Sequence, residues 1–287
     1  MSTTTLPPCP TQNRNVALLG AANRCRLAGM TTAQAEAELE RWLSRTAKRG
    51  EIERAVARAY DTTPSHAKHR PGQTHRVSVN AERKEAVLEG GPGIADLWEA
   101  SPIRFEDEEP HTAEILRALF PGNPLLCFGK YIPDADGATD HHTRPRELWN
   151  RPDLWELIVP SPMSAIYGTT KEGKQSEHSL ENTGPRRFLV CEFDQGTADE
   201  HAGLLWHLGC FAPLVLALSS AGKSIHGWFY VAGWTEEKAL RFFQYAVSIG
   251  ADPATWTRSQ FVRMPDGTRG SNGKRQTVYY YNPEEVK

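Results

Sequence analysis

The sequence lacks the features that mark several large classes of protein. Its five cysteines, at positions 9, 25, 127, 191 and 210, show no paired C-x-x-C spacing, which argues against a zinc ribbon. Their wide separation also argues against a disulfide framework and fits a reducing cytoplasm. No run of about 18 apolar residues is present, so no membrane span is expected. The opening stretch MSTTTLPPCPTQ has neither the basic nor the apolar region of a signal peptide.

Net charge is also small, at −2, so any nucleic-acid partner must be contacted by local basic patches. What the chain does have is enough apolar material for a packed core. Hydrophobic residues make up 39% of its 287 residues and charged residues 24%, a balance typical of globular proteins rather than disordered ones.

Composition divides the chain into four segments. We predict a flexible lead over 1–13, a small helical domain over 14–62, a basic linker over 63–82 and a larger domain over 83–287. In the second segment, Ala35, Leu39 and Leu43 recur at the spacing of one helical face. The linker is rich in Pro, Gly and basic residues and is expected either to connect domains or to meet a partner.

The larger domain is predicted to have an α+β fold, with one mixed or antiparallel sheet backed by helices. The sequence pattern changes within it. The stretch 121–187 is expected to be mostly irregular with a few strands, whereas 186–287 alternates clear strand and helix patterns. We predict strands near 187–194, 213–219, 224–231, 260–265 and 276–282, and helices near 83–89, 111–119, 198–209 and 235–249.

Two acids stand at the end of the strand 188-FLVCEFDQG-196. Because side chains alternate along a strand, Glu192 and Asp194 point the same way, while Cys191 and Phe193 point into the core. Two carboxylates this close repel one another, and a divalent cation such as Mg²⁺ or Mn²⁺ would relieve the repulsion. The alternative is a solvated strand end or an ion pair with a nearby arginine.

A second strand, 222-GKSIHGWF-229, carries polar groups on one face. Ser224 and His226 share that face, and Lys223 adds a positive charge beside them. A hydroxyl, an imidazole and an ammonium at one strand entry suit a phosphate group. A core histidine bonded to a backbone carbonyl is the alternative interpretation. Trp228 lies on the same face, either under a base or in the core.

A third segment, 250–276, adds one more acid and a set of cations. Asp252 follows a predicted helix, Arg263 flanks the next strand, and Lys274 lies in a glycine-rich basic loop. Such groups suit a triphosphate and a nucleic-acid backbone. A solvated basic hairpin is the alternative.

Taken in order, E-F-D, then S-I-H, then an Asp ahead of R-x-P, these motifs resemble those of the archaeo-eukaryotic primase superfamily. Their spacing resembles that of plasmid- and phage-type primase-polymerases, as does the tail F-V-R-M-P-D-G-T-R…G-K-R-Q. The likeness covers roughly 186–287. The segment over 14–62 resembles the small helical domain known as the primase C-terminal domain, although here it precedes the larger domain. Glu192 also departs from the family, in which the first acid is more usually Asp.

The resemblance implies a primase-polymerase-like fold and nucleotidyl transfer by two metal ions about 4 Å apart. Glu192, Asp194 and Asp252 would hold Mg²⁺ or Mn²⁺. The nucleotide phosphates would be met by Ser224 and His226, with Lys223, Arg263 and Lys274 neutralising further charge. The implied partners are single-stranded DNA, contacted by loops including 66–76 and 269–275, and nucleoside triphosphates. No P-loop is present, so unwinding would need a separate helicase.

Two other functions remain open from the sequence. One is a catalytically silent, primase-like module that binds DNA in a strongly salt-dependent way. The other is a metal-dependent nuclease, or another phosphoryl-transfer enzyme, that uses the same acids.

Overall fold

The computed structural model of the chain describes residues 14–43, 50–60, 77–133 and 138–286. The predicted lead over 1–13 and the basic stretch 66–76 lie outside the described residues. The helices are α1 (Arg14–Leu27), α2 (Thr32–Trp42), α3 (Glu51–Tyr60), α4 (Ala81–Leu88), α5 (Ile94–Glu99), α6 (Thr112–Leu119), α7 (Ala198–Leu208) and α8 (Glu236–Ser248). The strands are β1 (Leu125–Tyr131), β2 (Thr139–Pro145), β3 (Leu157–Ile158), β4 (Gly168–Thr169), β5 (Gln175–Ser176), β6 (Phe188–Phe193), β7 (Leu214–Ser219), β8 (Ile225–Tyr230), β9 (Val262–Arg263) and β10 (Val278–Tyr281).

Helices α1, α2 and α3 pack around a small core of their own, which includes Leu18, Leu39 and Val56. The start of α2 follows from its sequence, because Thr31 and Gln34 form the reciprocal hydrogen bonds of a capping box. Gly29 has a φ of 74°, the left-handed conformation that commonly ends a helix. The helical character predicted for this part of the chain is therefore confirmed where it is described.

The rest of the described chain has an α+β architecture, as predicted, with antiparallel sheets flanked by helices. It differs from the prediction in the number of sheets. One four-stranded sheet has the order β2-β1-β3-β9 and a second has the order β10-β7-β8-β6, while β4 and β5 form a separate ribbon. The stretch 121–187, which the sequence suggested was mostly irregular, supplies three of the four strands of the first sheet.

The second sheet lies between two apolar layers. One face of it packs against α5, α7 and α8 through alternate residues such as Leu189, Cys191 and Phe193. The other face packs against α6 and the first sheet through Phe188 and Val190. Strand β6 is buried on both faces up to Val190. Glu192, the next residue on the second face, is the first polar side chain of this strand. None of the described helices is both long and apolar enough to cross a bilayer.

Strand β8 approaches α7 closely at Gly227. A Cβ atom at this glycine would lie 2.3 Å from Cδ2 of Leu205, which is fully buried. We therefore expect Gly227→Ala to lower the free energy of unfolding by about 1–3 kcal/mol through overpacking, measured by urea denaturation. The double substitution Gly227→Ala/Leu205→Ala should lose less stability than the sum of the two single losses, because the added methyl group enters the space that Leu205 vacates. A single substitution as stable as the wild type would contradict the close packing.

Candidate active site

The three predicted acids approach one another at one end of the second sheet. Glu192 is the penultimate residue of β6, and Asp194 follows the end of that strand with its side chain exposed. The backbone N–H of Asp252 donates to the main-chain oxygen of Glu192 at 2.8 Å, which fixes the third acid beside the first. The side chain of Asp252 caps a short 3-10 turn by accepting a hydrogen bond from the N–H of Ala254.

His226 lies opposite Glu192 on β8, and Ser224 immediately precedes that strand. In the antiparallel pairing, Glu192 stands directly across from His226. The Ser224 hydroxyl donates to Glu192 Oε1 at 2.9 Å, and His226 Nε2 lies 3.2 Å from the same oxygen. Ser224 and His226 are both buried, so in this structure their polar groups engage the carboxylate. A ligand phosphate would have to share or replace it.

Burial alone would raise the pKa of Glu192, but its partners outweigh that effect. The hydrogen bond and the charge of His226, the Ser224 hydroxyl and the charge of Arg263 together lower the pKa to about 2. Asp194 behaves in the opposite way. Its pKa is raised by burial and by the neighbouring charges of Glu192 and Asp252. The repulsion between carboxylates that the sequence predicted therefore raises the pKa of Asp194 and not that of Glu192.

The low pKa of Glu192 predicts a dependence of stability on pH. The ionised form of Glu192 is more favourable in the folded protein than in the unfolded one. The carboxylate therefore contributes to folding stability above about pH 4.5, and this contribution is lost as the pH falls towards about 2. We expect Glu192→Gln to remove about 3 kcal/mol of pH-dependent stability over this range. Urea denaturation of both proteins between pH 7 and pH 2.5 measures the difference. Parallel stability curves would contradict the coupling.

The predicted cations lie in two places. Lys223 is exposed in the turn just before Ser224, and Lys274 is exposed in the loop 268–275. That loop packs on the turn, because Arg269 Nη1 donates to the main-chain oxygen of Ser220 at 3.2 Å. Asn272 Nδ2 likewise donates to the main-chain oxygen of Ala221 at 2.9 Å. The structure thus brings the segments that carry Lys223 and Lys274 together. The side chains of Arg269 and Asn272 support the turn.

Arg263, the remaining predicted cation, belongs to the first sheet. It lies on β9, which pairs with β3, whereas β10 pairs with β7 of the second sheet. The two segments around the basic loop therefore do not form the hairpin that the sequence allowed. Arg263 is still close enough for its charge to lower the pKa of Glu192 on the second sheet.

The structure also bears on the expected roles of Trp228 and of a metal ion. Trp228 is fully buried, with its ring centroid 5.5 Å from that of Phe188, and so belongs to the core rather than to a ligand surface. Within the described part of the chain, no group of three or more His, Cys, Asp or Glu side chains is arranged to hold a metal ion. The acids converge, but Glu192 Oε1 is already engaged by Ser224 and His226.

One polar residue of this region was missed by the sequence analysis. Glu156, just before β3, is buried and its Oε1 lies 2.6 Å from Arg263 Nη1. The only signal in the sequence was a single acid between apolar residues in W-E-L-I, which has no spacing motif to mark it.

No protein-family model matches the chain, and no curated protein matches it significantly. Among solved structures, the chain is similar to the archaeo-eukaryotic primase domain of the cyanophage S-2L primase-polymerase, with 17% identity and a TM-score of 0.38, over 60% of this chain and 91% of that one. It is also similar to the polymerase domain of Mycobacterium tuberculosis ligase D in complex with DNA, with 14% identity and a TM-score of 0.34, over 74% of this chain and 88% of that one. Both TM-scores are too low to establish a shared fold.

Proposed function

We propose that this chain is a nucleotidyltransferase that extends or begins strands on a single-stranded DNA template, as a primase or primase-polymerase of a plasmid, phage or integrated element. The observation that carries the proposal is the meeting of Glu192, Asp194 and Asp252 at the end of one sheet, beside Ser224 and His226. The turn that carries Lys223 and the loop that carries Lys274 adjoin this group. They supply the positive charge that binding of a triphosphate requires.

The three carboxylates suit Mg²⁺ or Mn²⁺ by their chemistry, since both ions prefer hard oxygen ligands. The raised pKa of Asp194 also supports a cation there, because a bound cation would offset the charges of Glu192 and Asp252. Glu192, Asp194 and Asp252 would hold the ions. When bound, such ions activate a hydroxyl nucleophile and stabilise the pyrophosphate leaving group.

The chain's own groups have distinct tasks in this mechanism. Ser224 and His226 orient Glu192, and they would contact phosphate oxygens of the incoming nucleotide. Lys223, Arg263 and Lys274 neutralise the triphosphate, and positioning with electrostatic stabilisation provides most of the rate enhancement. The helical domain over 14–62 would act as an accessory to the catalytic domain over 83–287, and a separate helicase would unwind the template.

Incubating labelled single-stranded DNA, with and without an annealed labelled primer, with Mn²⁺ and with or without labelled nucleoside triphosphates tests the proposal. We expect, only when nucleotides are present, either a lengthened primer or new short strands that carry the nucleotide label. A shift in mobility without new products would instead favour a DNA-binding module. Shortened products without nucleotides would favour a nuclease. Either of the last two results would overturn the proposed function.

A further inference from the structure

Arg263 and Glu156 form a buried ion pair on the first sheet. Arg263 Nη1 donates to Glu156 Oε1 at 2.6 Å, and the exposed fractions of the two side chains are 13% and 3%. Because both charges are largely removed from water, neither can be rearranged as freely as a surface pair. The pair therefore fixes one edge of the Arg263 guanidinium.

Glu156 is itself held firmly by its backbone. Its main-chain oxygen accepts hydrogen bonds from the N–H of Met264 at 3.0 Å and from Gln276 Nε2 at 3.1 Å. These contacts join the segment before β3 to the residue after β9 and to the end of the basic loop. The loop also passes close by, since a Cβ atom at Gly270 would lie 3.2 Å from Glu156 Oε2. Glu156 is thus a fixed point beside the loop that carries Lys274.

The other sheet lies across from this pair. Val262 and Met264, which flank Arg263, belong to the same apolar cluster as Val190 and Trp228 of the second sheet. The basic loop connects this pair to the end of the second sheet where the acids lie, because Gly270 passes beside Glu156 while Arg269 and Asn272 bind the turn just before Ser224. Guanidinium groups bind phosphate well when their planar donors are preorganised, and a buried carboxylate on one edge achieves this.

We propose that Glu156 is a positioning residue that holds the Arg263 guanidinium with its remaining donors directed at the triphosphate of the incoming nucleotide. This inference rests on the proposed function, because it assigns to an acid outside the three proposed metal ligands the task of orienting Arg263, one of the cations of that site. Glu156 does not touch the nucleotide or the metal ions. Its effect reaches the nucleotide only through Arg263.

The variants Glu156→Gln, Arg263→Gln and the double variant test this role through two readouts. Equilibrium dialysis measures the dissociation constant of a non-hydrolysable nucleoside triphosphate, and primer extension gives kcat and KM. We expect each single substitution to weaken triphosphate binding and to raise KM about tenfold, with kcat changed less than about threefold. The double variant should be no weaker than Arg263→Gln alone, since the two residues act as one unit.

Glu237→Gln is the matched control. It removes the carboxylate from a more exposed ion pair with Arg241 on α8 and should leave both readouts unchanged. Thermal unfolding shows whether each variant folds. If Glu156→Gln does not fold because it leaves a buried charge unpaired, Glu156→Asp, which keeps the charge but shortens the side chain by one methylene group, replaces it and must weaken triphosphate binding in the same way.

Unchanged triphosphate binding in Glu156→Gln, or losses that add in the double variant, would overturn the positioning role. Primer extension by the wild-type chain tests the proposed function independently of this comparison. A wild-type chain that binds triphosphate but extends no primer would overturn the polymerase activity, while the binding comparison would still decide the role of Glu156. A wild-type chain that binds no triphosphate would overturn the positioning role.

Discussion

Replacing Asp194 by asparagine should reduce metal-dependent primer extension by at least about 100-fold while leaving the protein at least as stable as before. The loss is expected because Asp194 is the exposed member of the three acids and the one whose pKa is raised by the other two. Removing its charge takes away a proposed metal ligand and also relieves like-charge repulsion. Primer extension with Mn²⁺ and urea denaturation measure the two effects.

The control for Asp194→Asn is Glu284→Gln, which neutralises an exposed acid in the turn after β10. It should retain full extension activity. An Asp194→Asn protein that folds normally and extends primers at the wild-type rate would remove the acids from the mechanism, and with them the proposed polymerase function.

His226→Ala should have a large effect on stability. The imidazole is buried and is one of two groups that hold the Glu192 carboxylate. Without it, a largely buried charge loses a partner, so we expect the free energy of unfolding at pH 7 to fall by about 3 kcal/mol. The pKa of Glu192 should rise at the same time, because the hydrogen bond and the charge of His226 lower it.

The double substitution His226→Ala/Glu192→Gln separates these causes. It removes the carboxylate that the single substitution leaves without its imidazole partner, and should therefore recover more than half of the lost stability. NMR titration of the Glu192 side-chain carboxyl in the wild type and in His226→Ala measures the change in its pKa directly. A double variant that is less stable than His226→Ala would show that His226 stabilises the sheet by packing alone.

The strands of the second sheet could be predicted because their pattern is local. Cys191 and Phe193 alternate with Glu192, and this alternation is enough to place the acid on the face away from α5, α7 and α8. The convergence of Asp252 with Glu192 was predictable only through the family resemblance, since it depends on a backbone hydrogen bond between distant residues.

The first sheet could not be predicted in the same way. Strand β2 contains T-D-H-H-T-R-P, which has no apolar alternation, and it becomes a strand because it pairs along its full length with β1. Strand β3 has two residues, too few for any periodic signal. Strand β9 lies within the strand predicted near 260–265, but nothing local indicated that it would pair with β3. The Glu156–Arg263 pair depends on the pairing of these two strands, so it becomes visible only in the folded chain.

The side-chain roles were also only partly predictable. The sequence placed Ser224 and His226 on one face, and the structure agrees, but nothing local indicated that both would engage Glu192. A glutamate reaches one methylene further than the aspartate more usual at this position in the family that the sequence resembles. Here its carboxylate lies within reach of both groups on the neighbouring strand.

Binding of Mn²⁺, followed by electron paramagnetic resonance with and without a nucleoside triphosphate, tests most directly whether Glu192, Asp194 and Asp252 form one cation site. We predict that the wild-type chain binds Mn²⁺ more tightly when the triphosphate is present, and that Asp194→Asn and Asp252→Asn each abolish this binding. Equal Mn²⁺ binding by the wild type and both variants would contradict a shared site.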